Sequence, residues 1–207
     1  MSDLHHEKHL ESYIVQKLSA AGWLVGTTDA YDADRAMYPE DLEAWFRATQ
    51  PQKWDRLQAT NGEKTLKVVM ARLETALEKD GILKTLRRGF SIAGAGHLDI
   101  SEAAPEDKRN KSVLDRYAAN RLRVVPQLKY HPGRELAIDL SLFLNGLPLV
   151  TVELKTDFTQ SVEHAKEQYR RDRLPVDPVT KRKHPLLTYQ RGAVVHFAMS
   201  DSEIWMS

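Results

Sequence analysis

The chain has 207 residues, of which 42% are hydrophobic and 29% are charged, the proportions of an ordinary globular protein. Because 30 Lys and Arg residues nearly balance 29 Asp and Glu residues, the net charge of +1 provides no overall basic field that would hold nucleic acid. The absence of cysteine excludes disulfides and thiolate metal sites and favours a reducing, cytoplasmic compartment, and no apolar run is long enough to span a membrane.

The N-terminal sequence is polar, which excludes a signal peptide, and the first predicted element is a helix from Leu10 to Ala21. Apolar residues recur at helical spacing in this segment, and Gly22 ends it. Glu11 borders the apolar stripe rather than the solvent face. Two interpretations of Glu11 remain open, namely a first-turn acid favoured by the helix dipole and a member of a functional site.

Residues 39–122 are predicted to form a helical layer or insertion. Pro39 is typical of a first helical position. The Gly94-Ala95-Gly96 sequence is not a phosphate-binding loop, because no Lys-Ser or Lys-Thr and no fingerprint spacing surround it. The expected helices lie at about 40–48, 51–59, 62–79, 82–88 and 105–122.

From residue 123 onward the pattern changes to strands, and it predicts a mixed central β-sheet flanked by helices, an α/β fold. Asn145-Gly146 separates two apolar strands and is a strong signal for a two-residue hairpin turn. The chain stops just after a last strand begins, so we expect it to be the N-terminal part of a longer protein. Strands are expected at Arg123–Tyr130, Leu136–Leu144, Leu147–Leu154, Gly192–Ser200 and Ile204–Met206, with a helix at Thr159–Arg173 and a loop at Pro175–Pro185.

Each strand of the hairpin carries a carboxylate where an apolar residue is expected. Asp139 lies within the first strand, Glu153 ends the second, and Lys155 follows two residues later. Acidic residues are depleted in strands and are costly to bury unless they are paired or bind metal. Converging carboxylates suit Mg²⁺, and a nearby lysine stabilises developing negative charge, so this set suits metal-assisted hydrolysis of a phosphodiester.

The spacing of the hairpin sets a condition on this interpretation. A regular two-residue turn at Asn145-Gly146 would pair Asp139 with Val152 and would direct Glu153 to the opposite face. A bulge or a three-residue loop would shift the pairing by one residue and bring both carboxylates to one face. Gly146, in the left-handed conformation of a bulged turn, is the natural place for this shift.

Asp139 followed by Glu153-Leu154-Lys155 across a hairpin resembles the metal-binding motif of the PD-(D/E)xK nuclease superfamily. The longer string LSLFLNGLPLVTVELK, with the following helix that contains residues 167–173, resembles the N-terminal nuclease domain of the type I restriction enzyme R subunit. The later GAVVHFAMS and EIWM strands and the opening helix with Glu11 also fit. The likeness covers most of the chain and is densest over residues 123–207.

The resemblance implies a restriction-endonuclease-like core, made of helix 10–21 and residues 123–207, within a single domain that carries the 39–122 insertion. It implies a Mg²⁺-dependent endonuclease that acts on double-stranded DNA in a large ATP-driven subunit, together with methylation and specificity subunits. By the motif match, Asp139 and Glu153 are metal ligands, Lys155 is the catalytic lysine, and Glu11 is an auxiliary acid. No Walker sequence is present, so an ATP site would lie outside these residues.

Many members of this family carry a Gln-x-x-x-Tyr motif in the helix after the lysine, and this chain departs from it. Gln168 is the candidate, but Asp172 stands four residues later. Basic side chains near this helix are candidates for DNA phosphate contacts, or for an ordinary solvated face. They are Arg170, Arg171, Arg173, Lys181, Arg182 and Lys183.

Two other functions remain open at this point. One is a catalytically silent module that binds DNA or docks partner subunits. The other is a PD-(D/E)xK nuclease of DNA repair. The intact Asp139, Glu153 and Lys155 argue against a silent module, since such a relic has no reason to keep them inside apolar strands.

Overall fold

The computed structural model describes residues 3–131, 133–155, 162–200 and 202–207. The helices are α1 (Asp3–Ala20), α2 (Pro39–Thr49), α3 (Pro51–Asn61), α4 (Thr65–Asp80), α5 (Ile82–Arg88), α6 (Lys111–Ala118) and α7 (Val162–Arg171). The strands are β1 (Leu24–Val25), β2 (Phe90–Ile92), β3 (Gly96–Leu98), β4 (Leu122–Lys129), β5 (Ala137–Leu144), β6 (Leu147–Leu154), β7 (Val195–Met199) and β8 (Ile204–Met206). Among these residues, no helix has the length and apolarity that crossing a membrane requires.

A six-stranded mixed sheet in the order β1-β4-β5-β6-β7-β8 organises the molecule. The strands β4, β5 and β6 are antiparallel neighbours, while β1 runs parallel to β4 and β7 runs parallel to β6. The parallel β6–β7 pair requires a crossover, which contains α7. This architecture confirms the predicted mixed α/β fold and is consistent with a restriction-endonuclease-like core.

Three apolar clusters hold the layers together. The helices α2 to α5 and the β2–β3 hairpin share a core that includes Trp45 and Trp54 and reaches the main hairpin at Leu147. A second cluster joins Tyr38 to Phe143 in β5. The third lies under α1, whose apolar stripe packs on β4, β5 and β6, so the predicted apolar face of this helix covers the sheet beside Glu11.

The predicted helix over Pro105–Leu122 is wrong at both ends. The α6 helix begins only after Asn110, whose side chain accepts a hydrogen bond from the Val113 backbone N–H and caps the helix. Leu122 already belongs to β4. The Asp107 carboxylate instead accepts the Arg109 backbone N–H at 2.9 Å, a local contact that competes with helix formation.

The purely helical interpretation of residues 39–122 also missed a hairpin. Gly94 and Ala95 lie in the turn between β2 and β3, which pair antiparallel, and Gly96 is the first residue of β3. Each strand is only three residues long, too short for apolar alternation to distinguish it from a loop. The β7 strand likewise begins at Val195 rather than Gly192, because the Gly192 and Ala193 N–H groups bond to carbonyls of the preceding loop.

Candidate functional site

The tip of the β5–β6 hairpin is a buried two-residue turn. Asn145 and Gly146 both have positive φ values, 48° and 84°, as such turns require. The Asn145 side-chain amide donates to the Ile100 carbonyl at 2.8 Å, and the Gly146 carbonyl accepts the Tyr38 N–H at 2.8 Å. Hydrogen bonds to Ile100 and Tyr38 therefore fix the position of the turn in the hairpin that carries the predicted site.

A bulge in β6 brings Asp139 and Glu153 to the same face of the sheet. Leu149 has no partner in the β5–β6 ladder, which shifts the pairing beyond it by one residue. The predicted offset is therefore confirmed, although it arises at Leu149 and not at Gly146. The last ladder pair is Leu140 with Val152, and continuing this register by one residue sets Asp139 opposite Glu153. The ladder pairs are Leu144 with Leu147, Phe143 with Pro148, Leu142 with Val150, Ser141 with Thr151, and Leu140 with Val152.

Both oxygens of the Asp139 carboxylate have hydrogen-bond partners. The Leu154 backbone N–H donates to Oδ2 at 2.7 Å, and the Gln127 side-chain amide donates to Oδ1 at 3.2 Å. A backbone donor on one side and an amide on the other fix the direction of the carboxylate. Asp139 therefore extends from β5 towards the end of β6, where Glu153 lies.

Gln127 was not foreseen as a site residue. It occupies the left-handed region, with φ of 48°, between ladder pairs that place it opposite Asp139. Its amide also donates to Oε2 of Glu11, so one side chain connects the α1 acid to the β5 acid. The preceding Pro126 was the available signal, because proline inside a strand is confined to edges and irregular positions.

Glu11 lies beside the predicted site rather than in solvent. Partial burial raises the pKa of Glu11, and the negative charge of Asp139 raises it further, while the hydrogen bond from Gln127 lowers it. Glu11 was the predicted acid with the least close match to the family motif, and the structure places it beside Asp139. Whether it acts there remains a prediction.

Glu153 is buried and forms an ion pair with Arg173. Its carboxylate Oε1 accepts a hydrogen bond from Arg173 Nε at 2.6 Å, and the two side chains are only 1% and 8% exposed. Burial, and then the charge of Asp139, raise the pKa of Glu153 to about 7, although Arg173 and Lys155 act in the opposite direction. Arg173 was predicted to contact DNA, and this contact stays a prediction; in the structure its side chain is buried against Glu153.

Lys155 continues the same face beyond Glu153. Its backbone N–H donates to the Met199 carbonyl at 2.9 Å, which extends the β6–β7 pairing past the end of β6. The side chain is 12% exposed, and its Nζ lies 3.8 Å from Oε1 of Glu7 on α1. The ammonium group is therefore held beside α1, and its positive charge acts to lower the pKa of Glu153.

Tyr169 on α7 is a second site neighbour that the sequence did not single out. Its hydroxyl lies 2.9 Å from the Thr151 hydroxyl, and Thr151 in turn lies 2.5 Å from Nδ1 of His196. Burial raises the pKa of Tyr169, as does the charge of Glu153. This chain of polar contacts docks α7 on the sheet two residues before Glu153.

The Gln168 side chain makes no hydrogen bond to Asp139 or Glu153 among the described residues. It lines a cavity of about 270 Å³ that Arg173 and Asp177 also border, whereas Asp139, Glu153 and Lys155 do not line this cavity. The Gln168 carbonyl accepts the Asp172 and Arg173 N–H groups, so its clearest contribution is to end α7. Its auxiliary role at the acids stays a prediction.

The remaining predicted phosphate-binding cations lie at the surface. Arg171 is exposed and stands 3.7 Å from Glu167, one turn earlier in α7. Lys181 donates to the Pro178 carbonyl at 2.8 Å, and Arg182 pairs with Asp34. Arg170 and Lys183 are also exposed. Their contact with DNA remains a prediction.

Comparison with known proteins gave one family match. A family model described as the type I restriction enzyme R protein N terminus matches residues 5–206. This range contains the bulged hairpin, α7 and all but the first two residues of α1, and hence every residue of the candidate site. A search of curated proteins found no match.

Proposed function

Because the chain belongs to the family of the type I restriction enzyme R protein N terminus, we propose that its hairpin acids form a Mg²⁺-dependent endonuclease site. The family implies a nuclease that works on DNA within a restriction complex. The finer proposal is that this domain itself hydrolyses DNA phosphodiester bonds, with Asp139 and Glu153 as metal ligands and Lys155 as the catalytic lysine.

The observation that carries the proposal is the Leu149 bulge, since it directs Asp139 and Glu153 to one face beside Lys155. Convergent carboxylate oxygens fit Mg²⁺, which prefers hard oxygen ligands. The raised pKa of Glu153 indicates that negative charge is destabilised at this position. A divalent cation between the two carboxylates would favour their charged forms.

Each side chain has a separable task in this proposal. Bound Mg²⁺ supplies charge neutralisation at the phosphate and a more acidic water. The Leu154 N–H and the Gln127 amide orient Asp139. Arg173 holds Glu153 through Oε1, which would leave Oε2 to bind the cation. Lys155 stabilises the negative charge that develops on the phosphate oxygens during hydrolysis.

We further propose that the domain works with double-stranded DNA, with methylation and specificity subunits, and with an ATP-driven motor outside these 207 residues. The exposed cations of α7 and of the 181–183 loop would contact the phosphates. Because the net charge is only +1, local cation groups must supply this attraction.

A second candidate function is a silent module that binds DNA or docks subunits. The Arg173–Glu153 ion pair favours it, because a guanidinium already neutralises the carboxylate that a cation would otherwise neutralise. The two candidates differ in one measurable property. Only the nuclease requires a divalent cation at Asp139.

The test compares two single variants, Asp139→Asn and Lys155→Met. The first should abolish cation binding, and the second should impair the chemical step alone. Titration calorimetry with Mg²⁺ should show binding to the unmodified chain and none to Asp139→Asn. Lys155→Met should bind Mg²⁺ within a few-fold of the unmodified chain, but plasmid cleavage by the assembled restriction complex should fall by about 10²–10³-fold.

Asp107→Asn is the matched control, because Asp107 belongs to the exposed Glu106-Asp107-Lys108 triplet. It should change neither Mg²⁺ binding nor cleavage. Unaltered cleavage by a complex that carries Asp139→Asn would overturn the assignment. Wild-type Mg²⁺ binding without cleavage in any assembled complex would favour the silent module.

A further inference from the structure

His131, Asp177 and His184 form a buried cluster that includes none of the hairpin acids. One potential ligand atom from each residue lies within 4.8 Å of the others. His131 follows the end of β4, while Asp177 and His184 come from the loop between α7 and β7. Residues far apart in the sequence therefore bring two imidazoles and one carboxylate together.

His184 is held in the tautomer that a metal ligand requires. Its Nδ1 lies 2.7 Å from the Leu174 carbonyl, which only accepts, so Nδ1 carries the proton. In the neutral ring Nε2 then has a free lone pair, and this atom is buried without a hydrogen-bond partner among the described residues. A ring N–H bonded to a backbone carbonyl is the usual support of a metal-binding histidine.

The ring nitrogens of His131 also lack hydrogen-bond partners among the described residues. The residue is 5% exposed, and both of its ring nitrogens are buried without a hydrogen bond in the part of the chain that the structure describes. Its Nε2 lies 3.7 Å from Oδ2 of Asp177, close but beyond hydrogen-bond range. Buried polar atoms are nearly always paired, so two such histidines facing one carboxylate point to a missing ligand.

Asp177 is held as a charged carboxylate. Its Oδ1 accepts the Val179 and Thr180 N–H groups at 2.8 and 2.7 Å, and its Oδ2 pairs with Arg134. These donors lower the pKa of Asp177. The Arg134 side chain is 44% exposed, so it can turn into solvent and leave Oδ2 to a cation.

We propose that His131, Asp177 and His184 bind one Zn²⁺ ion, with a water molecule as the fourth ligand. Imidazole nitrogen and carboxylate oxygen are normal zinc ligands, and a two-histidine, one-carboxylate set is sufficient for the metal. The ion would fasten the 174–187 loop to the segment that follows β4. It would bind residues that the hairpin site does not use.

A ring contact and two hydrogen bonds connect the proposed zinc site to Glu153 of the hairpin. The His184 ring packs edge-on against the Tyr130 ring, with centroids 5.1 Å apart. The Tyr130 hydroxyl accepts a hydrogen bond from Arg173 at 3.4 Å, and Arg173 holds Glu153. Zinc would therefore support the wall of the hairpin site without taking part in its chemistry.

The experiment uses the chain freed of metal with a chelator and then titrated with ZnCl₂ by calorimetry. We expect one Zn²⁺ per chain and a higher Tm with zinc than without it. His131→Gln and His184→Gln should each weaken zinc binding by at least about 100-fold. His97→Gln is the matched control, because His97 stands 3.4 Å from Asp99 at an exposed site, and it should bind zinc as the unmodified chain does.

Two further variants test the zinc site without changing its histidines, in case the histidine variants do not fold. Arg134→Gln retains all three ligands and removes the competing guanidinium, so it should bind zinc at least as tightly as the unmodified chain. Asp139→Asn should leave zinc binding unchanged, which separates this site from the proposed Mg²⁺ site. No saturable zinc binding to the unmodified chain, weaker binding by Arg134→Gln, or undiminished binding by His184→Gln would each overturn the proposal.

Discussion

Arg173 donates from Nε to Oε1 of Glu153 at 2.6 Å, and this contact joins the end of α7 to the end of β6. Both side chains are nearly inaccessible to water. The ion pair is therefore part of the protein interior, and each charge depends on the other. Its position also makes the loop after α7 a structural support for the candidate site.

Arg173→Gln should destabilise the fold, because it leaves the Glu153 carboxylate buried without its cation. Removing one member of a buried ion pair typically costs about 3–5 kcal/mol in the free energy of unfolding. Urea denaturation followed by circular dichroism measures this. Arg171→Gln is the control, since Arg171 ends α7 two residues earlier and is 75% exposed, and its effect should stay within about 0.5 kcal/mol. Equal effects of the two changes would contradict the structural role of the pair.

Gln127→Asn should weaken Mg²⁺ binding at the hairpin acids by about 10–100-fold, the range found when a residue that orients a metal ligand is lost. Asparagine tolerates the left-handed backbone at this position, but it is one methylene too short to reach both Glu11 and Asp139. Titration calorimetry with Mg²⁺ provides the measurement.

The control for this change is Gln190→Asn, because Gln190 is an exposed glutamine whose φ is also positive, 61°. It should leave Mg²⁺ affinity unchanged. If Gln127→Asn bound Mg²⁺ as tightly as the unmodified chain, Gln127 would have only a structural role.

Gly146→Ala should destabilise the protein by more than the usual cost of a left-handed alanine, which is about 1–2 kcal/mol. A Cβ at Gly146 would lie 2.5 Å from the Tyr38 carbonyl oxygen, so the hairpin tip would have to move away from α2. Gly22→Ala isolates the steric part, because Gly22 has a similar φ of 92° and nothing lies within 4 Å of its added Cβ. Thermal unfolding of both variants should show the larger loss for Gly146→Ala, and equal losses would disprove the close approach.

His196 should make folding stability depend on pH. Burial lowers the pKa of His196, so the unfolded chain binds this proton more readily than the folded chain does. Above the ordinary histidine pKa of about 6.5, His196 is neutral in both the folded and the unfolded chain and costs no stability. Below that value the unfolded chain takes up the proton first, so the free energy of unfolding falls as the pH drops.

His196→Gln should remove this part of the pH dependence, so its destabilisation relative to the unmodified chain should be larger at pH 7 than at pH 5. Urea denaturation at both pH values checks the sign. His9→Gln, at an exposed position on α1, should not change the difference between the two pH values. A constant difference for His196→Gln would show that this histidine contributes nothing to the pH dependence.

Local signals in the sequence accounted for most of the helices and for the hairpin. Asn145-Gly146 determines a tight turn because both residues accept positive φ. Carboxylates at Asp139 and Glu153 stood out because apolar strands rarely contain them. The short β2–β3 hairpin escaped notice because strands of three residues carry no periodic pattern.

Only the tertiary structure decided which side chains meet these acids. The Leu149 bulge carries no distinctive local pattern. The roles of Gln127 and Arg173 follow from partners at a distance in the chain, although Pro126 marks an irregular strand and Arg173 belongs to a basic segment. The periodicity of apolar residues indicates which face of a helix or strand is buried, because buried positions recur at a fixed spacing along each element. Ladder register and ion pairing depend on the relative placement of separate elements. The sequence by itself therefore determined the acids and their hairpin, whereas packing between α1, the sheet and α7 decided how those acids are oriented and paired.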